Sequence, residues 1–427
     1  MPRPPLSYLY VLSVPYFTAM SSISYPGPWG LQYTGFIWSC VLAVGVLLIL
    51  QHRKTIAFPW KVWCPWFGYV LLSLSWGGIH WLHNLQDPAQ MISPLIVGTV
   101  ASFAIRTQFQ LEGLMRGFTH CLLFVAAAFI FFWYGPGAPY QEFNRGYNVR
   151  PAAVTVAFIA CLFVGRLHKS AFGSALGWAA CLAITILSGS RTATLVVLIL
   201  WLVTPLYLQL KSRLFLSGAM CLAGLALFYS PVFQERFFPS GHGTPEQVIR
   251  GEFSGSGRFE ELWPVVWQAA QKNIVFGAGA GEVGRFIEKT DLPDPSPLNG
   301  YLKVVFDYGA VGLLIVICTV LKQMHYLHKL VRRTDSAATW ALTAAYLGFV
   351  ALLIFASTED IWLHNVNFLH PLFAFTGAAI GVTVNKNLRS DQRGMNRQLP
   401  FVFSDDSQTT SPGGRQEHAL RSAGANE

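Results

Sequence analysis

The chain has 427 residues, of which 53% are hydrophobic and 12% charged, with a net charge of +9 and a mean hydropathy of +0.42. An average soluble domain carries about 25% charged residues, so this composition excludes a disordered chain, a coiled coil and an ordinary soluble enzyme. Apolar runs of roughly 17–22 residues recur along the chain and match the helix length that crosses a hydrocarbon core of about 30 Å, which predicts an all-α polytopic membrane protein.

Met1-Pro-Arg-Pro-Pro leads into the first apolar run without a small-residue cleavage site, so that run reads as a retained span. In chain order, spans are expected at about 6–24, 32–51, 57–76, 90–105, 117–134, 151–166, 171–187, 192–210, 214–230, 300–321, 338–357 and 367–384. The fourth is the shortest and weakest. With the N-terminus in the cytoplasm, the inner short loops hold fourteen Lys and Arg residues and the outer ones three, Arg145, Arg150 and Arg191. This asymmetry predicts cytoplasmic N and C termini, and topology then accounts for most of the basic excess without nucleic acid. The seven cysteines all fall in apolar runs and read as small buried hydrophobes rather than a disulfide framework. A transmembrane domain is thus expected over 1–384, interrupted by a long, partly helical outer loop at 231–299. The polar stretch 385–427 reads as a disordered cytoplasmic tail.

Five places could carry chemistry. Ser188-Gly-Ser-Arg-Thr192 joins two spans and puts Arg191, beside Ser190, at a helix N-terminus, where free N–H groups and the dipole favour an anion. The alternative is an arginine that snorkels to lipid headgroups. Gly255-Ser-Gly-Arg258 precedes an amphipathic stretch with Phe259, Leu262, Trp263, Val266 and Trp267. Arg258 in its first turn fits a bound anion, or a salt bridge to Glu260 or Glu261 on a helix lying on lipid. Gly277-Ala-Gly-Ala-Gly281, followed by Arg285, follows no strand of a βαβ unit and reads as a tight turn at the membrane surface. Pro297-Leu-Asn-Gly-Tyr301 opens the tenth span, and Asp307 lies inside it. An ionisable group there is either a site residue or a hydrogen-bonded structural one. The loop Ser357-Thr-Glu-Asp-Ile-Trp-Leu-His-Asn365 brings Glu359, Asp360 and His364 to the outer face, and a histidine can act as a general base. Two histidines, His364 and His370, do not specify a metal site. No soluble-cofactor or nucleotide motif is present.

Ser188-Gly-Ser-Arg-Thr192, Gly257-Arg258 with Trp263 and Trp267, Gly277–Gly281, and Asn299-Gly-Tyr-Leu302 with Gly309-Ala-Val-Gly312 resemble, in their order and in the long outer loop between them, the O-antigen ligase and O-antigen polymerase superfamily of bacterial membrane glycosyltransferases. The resemblance implies an inner-membrane enzyme that transfers a glycan from undecaprenyl diphosphate at the periplasmic face, without metal or other cofactor. The acceptor would be another lipid-linked repeat in a polymerase or the lipid A core in a ligase. The family's two important arginines fall on Arg191 and Arg258. Its ligases place a histidine before the asparagine of the fourth motif, where this chain has Leu298. That departure favours a polymerase of O-antigen or exopolysaccharide repeats over a ligase. His364 is the first substitute base, then Glu359 or Asp360, then His242, Glu282, Asp291 and Asp294. Ser190, Arg145, Arg150, Arg285, Trp263, Trp267, Asn299 and Asp307 complete the expected substrate-binding set. A transporter or flippase for lipid-linked sugar is the alternative from another class, and a non-catalytic export scaffold a third.

Overall fold

The computed structural model describes residues 5–22, 33–77, 81–134, 149–167, 169–188, 190–204, 261–290, 297–334, 338–362 and 364–398, with scattered positions between 218 and 247. The described residues are helical, with no strand among them. The helices are α1 (Leu6–Ser21), α2 (Tyr33–His52), α3 (Trp60–Ser73), α4 (Trp81–Ala104), α5 (Gln108–Tyr134), α6 (Val149–Gly165), α7 (Ala171–Leu187), α8 (Arg191–Val203), α9 (Trp263–Ala270), α10 (Glu282–Lys289), α11 (Gly300–Arg333), α12 (Thr339–Phe355) and α13 (His370–Gln398). A π-helical turn, Asn365–Leu369, precedes α13. Every expected span except 214–230 coincides with one of these helices, and most of that run lies outside the described residues. Three stretches are long and apolar enough to cross a membrane, Gln108–Phe131, Gly300–Arg333 and Asn365–Lys386, and five shorter apolar helices accompany them.

By its contacts the chain forms two units, 1–385 and 386–427. In the first unit α6 is buried from Pro151 to Gly165 and packs against α5, α7, α8 and α12. Its apolar residues face protein on every side, so it shows no polar stripe. On α13, Gly377 and Gly381 form a small-xxx-small pair against α4. A Cβ on Gly377 would stand 1.9 Å from the Gly98 carbonyl oxygen, and one on Gly381 2.3 Å from that of Ser102. Such pairs let helix backbones touch where no hydrophobic effect drives association. Among the described cysteines, Cys121, Cys161 and Cys181 are buried as expected, while Cys40, Cys64 and Cys318 lie exposed on apolar helices.

α4 begins nine residues ahead of the apolar run that predicted it, because the run excluded Asp87, which the fold pairs internally. α11 is broken at Gly309, whose φ of 69° and ψ of −175° interrupt the helix. A break frees the N–H groups of 310 and 311 and the carbonyls of 306 and 307 from one another. All four find partners in the turn before α10. Ala310 and Val311 donate to the carbonyls of Ile274 (2.7 Å) and Val275 (3.2 Å). Ala278 and Gly279 donate to those of Phe306 (2.8 Å) and Asp307 (2.9 Å). Only glycine adopts the Gly309 backbone readily, and a Cβ there would lie 2.2 Å from the Val275 oxygen. Gly277, at φ +80°, passes so close that a Cβ would meet the Asp307 carbonyl at 2.4 Å. Two glycine motifs read separately in the sequence are thus two sides of one joint.

Candidate functional site

Three segments converge at one end of the bundle. Arg191 is the first residue of α8, and the Ser190 side chain makes no cap bond to that helix. One residue on, the Thr192 hydroxyl bonds the Thr358 hydroxyl at 2.6 Å. The turn that carries Thr358 follows α12 and also receives the start of α11. Gly300 donates to the Glu359 carbonyl (3.0 Å) and Tyr301 to that of Ala356 (3.1 Å). Asn299 caps α11 by accepting from Leu302 N (3.0 Å) and donates its amide to the Ser357 carbonyl (3.0 Å). Its side chain is therefore spent on the joint between α11 and the turn. The Trp263 indole N–H, at the start of α9, donates to the Pro297 carbonyl at 2.8 Å. Glu359, Asp360 and His364 are all buried, and the His364 amide donates to the Asp360 carbonyl at 3.3 Å. Leu298, in the position where the resemblance expects histidine, is buried with φ 51°.

Below this convergence lies a buried ionic cluster. Lys303 Nζ stands 2.6 Å from Asp87 Oδ1 and 3.7 Å from Asp307 Oδ2. The Tyr308 hydroxyl donates to Asp87 Oδ2 at 2.7 Å. Asp307 Oδ1 accepts from Val283 N at 2.9 Å, in the first turn of α10, where a negative charge also complements the helix dipole. Asp307 is fully buried. Its position matches the hydrogen-bonded reading of an intramembrane aspartate, and it ties α10, α11 and, through Lys303, α4. One ammonium faces two carboxylates in direct contact, and Asp360 also acts on it electrostatically. Beside the cluster, His370 Nε2 bonds Ser93 Oγ at 2.7 Å, and the ring packs on Trp38 with centroids 4.1 Å apart. The Asn367 amide donates to Ser21 (3.0 Å), Ser22 (3.2 Å) and Thr155 (3.3 Å), so the π-turn is bound to α1 and α6 by side chains.

The other expected residues fall as follows. Arg285 pairs with Glu282 at 2.8 Å, a helical i,i+3 contact that neutralises its charge locally. Trp263 packs on the apolar cluster of Leu262, Val266, Ala270, Val283 and Phe306, while Trp267, one turn on, is exposed. His242 is exposed. Arg150 lies in the first turn of α6. Arg145, Arg258, Asp291 and Asp294 lie outside the described residues. Asp87, Lys303 and Tyr308 were missed by sequence reading. The available signal was a charge at each of two apolar runs, which is how buried pairs between membrane helices first appear. Among the described residues no group of three or more His, Cys, Asp or Glu is arranged to hold a metal ion.

Residues 175–317 match the O-antigen ligase family, Wzy_C. That segment runs from α7 into the middle of α11, so it takes in Arg191, Arg258, the glycine turn, Asn299, Lys303 and Asp307, and it ends before the 357–364 turn. The match supports the O-antigen ligase and polymerase superfamily, and with it a membrane glycan-transfer function of polymerase or ligase kind on lipid-linked glycans. No curated protein matches the chain.

Proposed function

We propose that the protein is a metal-independent glycosyltransferase of the bacterial inner membrane, taking its glycan from undecaprenyl diphosphate at the periplasmic face. It has twelve spans, with both termini in the cytoplasm and 231–299 as a periplasmic loop. The reaction is polymerisation of O-antigen or exopolysaccharide repeats, with transfer to lipid A core as the alternative. The observation that carries this reading is the contact of Thr192, next to Arg191 at the start of α8, with the Ser357–Asp360 turn that also receives the start of α11. This puts a cationic residue and the N-terminus of a helix at a polar junction between apolar helices.

A departing lipid diphosphate gains negative charge as the glycosidic bond breaks. Arg191, with Arg258 from the loop, stabilises that charge as it develops, in a site of low dielectric constant. The guanidinium suits the task because its fork of donors is planar and always charged. The buried carboxylates and imidazole of Glu359, Asp360 and His364 stand on the same turn and supply candidates to take the acceptor's proton. Leu298 in place of a histidine favours the polymerase over the ligase. Arg191→Ala and Arg258→Ala are expected to express normally and to lose about a hundredfold or more of transfer, measured with lipid-linked donor in detergent. Normal polymer from both variants would sink the mechanism. Deletion in the host separates the two activities. Single repeats accumulating on the lipid carrier indicate a polymerase, and long lipid-linked chains above bare lipid A core indicate a ligase.

A further inference from the structure

The turn that joins α9 to the glycine run changes character within six residues. Gln271, Lys272 and Asn273 form an exposed 3₁₀ turn. Ile274, Val275 and Phe276 follow, and they are exposed too, Val275 by 50% and Phe276 by 59%. Three consecutive apolar side chains pointing outward would be costly in water. The backbone behaves differently from that of a solvated loop. The carbonyls of 274 and 275 accept from Ala310 and Val311, that of 276 shares the Tyr69 hydroxyl (3.4 Å) with the nearer Tyr308 carbonyl (3.0 Å), and the Gly277 amide donates to Asn273 O at 2.7 Å. Irregular backbone at membrane depth is tolerated only where its polar groups are satisfied by protein, and the carbonyls of 274 and 275 and the amide of 277 are.

The neighbours of this turn point the same way. Its hydrogen-bond partners are the point where α11 resumes after Gly309 and the middle of α3. Within about one turn of those partners, Leu72 on α3 and Leu314 on α11 face outward, Leu314 by 64%. From Ala310 the resumed helix carries its apolar run on to Leu321, within a helix long and apolar enough to span. Aromatic residues collect at this level, with Tyr69 stacked edge-on to Trp76 at 6.0 Å and Trp267 exposed on α9. Aromatic rings mark the membrane–water boundary, and lysine there reaches for the headgroups.

We infer that residues 271–276 form a membrane-dipping turn: Lys272 lies among lipid headgroups, and Ile274, Val275 and Phe276 are buried in the acyl chains. The occupant of this apolar edge is bilayer lipid, because the edge continues the outward face of a helix long and apolar enough to span. The inference concerns how the α9–α10 layer is held at the bilayer, and it stands whether the enzyme proves to be a polymerase or a ligase.

The test uses the full chain in phosphatidylcholine nanodiscs. In a variant with the seven native cysteines replaced by alanine, bimane is placed at Phe276→Cys and, separately, at Gln271→Cys. The 276 label is expected to lose most of its emission to doxyl-labelled lipid and none to iodide, while the 271 label is quenched by iodide. Iodide quenching at 276 equal to that at 271 overturns the inference. So does a 276 label that neither quencher reaches, which would mean a second copy of the chain covers the edge. Hydroxyl-radical footprinting of the unmodified protein in the same discs gives a second measurement free of substitutions. Phe276 is expected to stay unoxidised while exposed His242 reacts, and equal oxidation of the two overturns the inference.

Discussion

Two charge clusters of mirror composition sit at different places in the bundle. In one, Lys303 faces Asp87 and Asp307, with side-chain exposures of 11%, 7% and 0%. In the other, at the far end of α6, Glu112 faces Arg166 and Lys169, exposed by 14%, 26% and 41%, and Arg166 also lies over the Trp340 ring at 5.7 Å. The second can exchange protein contacts for water, so its pairs are screened and individually weak. The first cannot, and each of its charges depends on the others. Contact distances alone do not separate the two clusters. Access to solvent does.

The largest effect is expected from Lys303→Met, which leaves two buried carboxylates without their cation and costs about 3–5 kcal/mol. Thermal unfolding in detergent, followed by tryptophan fluorescence, checks it. Adding Asp87→Asn to that variant is expected to recover stability rather than lose more, since it removes the charge left exposed to the low dielectric. Purely additive losses would show that the groups do not act as one cluster. Gly309→Ala comes next, at about 2–4 kcal/mol, because it combines a backbone conformation reserved for glycine with overpacking against Val275. Thr192→Val removes one hydrogen bond to Thr358 and is expected to cost about 1 kcal/mol, with a larger loss in transfer rate than in melting temperature. Glu112→Gln closes the series at under about 1 kcal/mol. A loss there as large as for Lys303→Met would erase the contrast between the clusters.

Much of the architecture was legible because the membrane imposes a length on apolar helices, and eleven expected spans are present as helices. The amphipathic stretch with Leu262 and Val266 buried and Trp267 outward was legible by its period, and α9 carries it. Less legible were features that depend on pairing across the chain. Asp87 fell outside the apolar run that predicted α4, and nothing local announces that a lysine 216 positions later neutralises it. Gly309-Ala-Val-Gly312 reads as an ordinary helical run, since the break becomes favourable only when the 274–279 backbone supplies the missing partners. For the site, the sequence singled out Arg191, Asn299 and the 357–364 loop one by one, and the fold joins Asn299 and Thr192, the neighbour of Arg191, to that loop. Arg285 was expected to add positive charge, but Glu282 one turn earlier, itself visible in the sequence, offsets it.

The exchange of hydrogen bonds between the α11 break and the glycine turn has a consequence for assembly. Residues 274–279 leave the ribosome before residues 306–311, and the turn exposes its backbone groups until α11 arrives. A newly inserted α11 is free to be one straight helix of about 50 Å, with 306 and 307 bonded to 310 and 311 in the ordinary way. Docking of the turn then trades those two bonds for four between the turn and α11. Undocking therefore exposes the amides of 278 and 279 together while those of 310 and 311 return to helical partners, and amide hydrogen exchange is expected to release the first pair faster than the second.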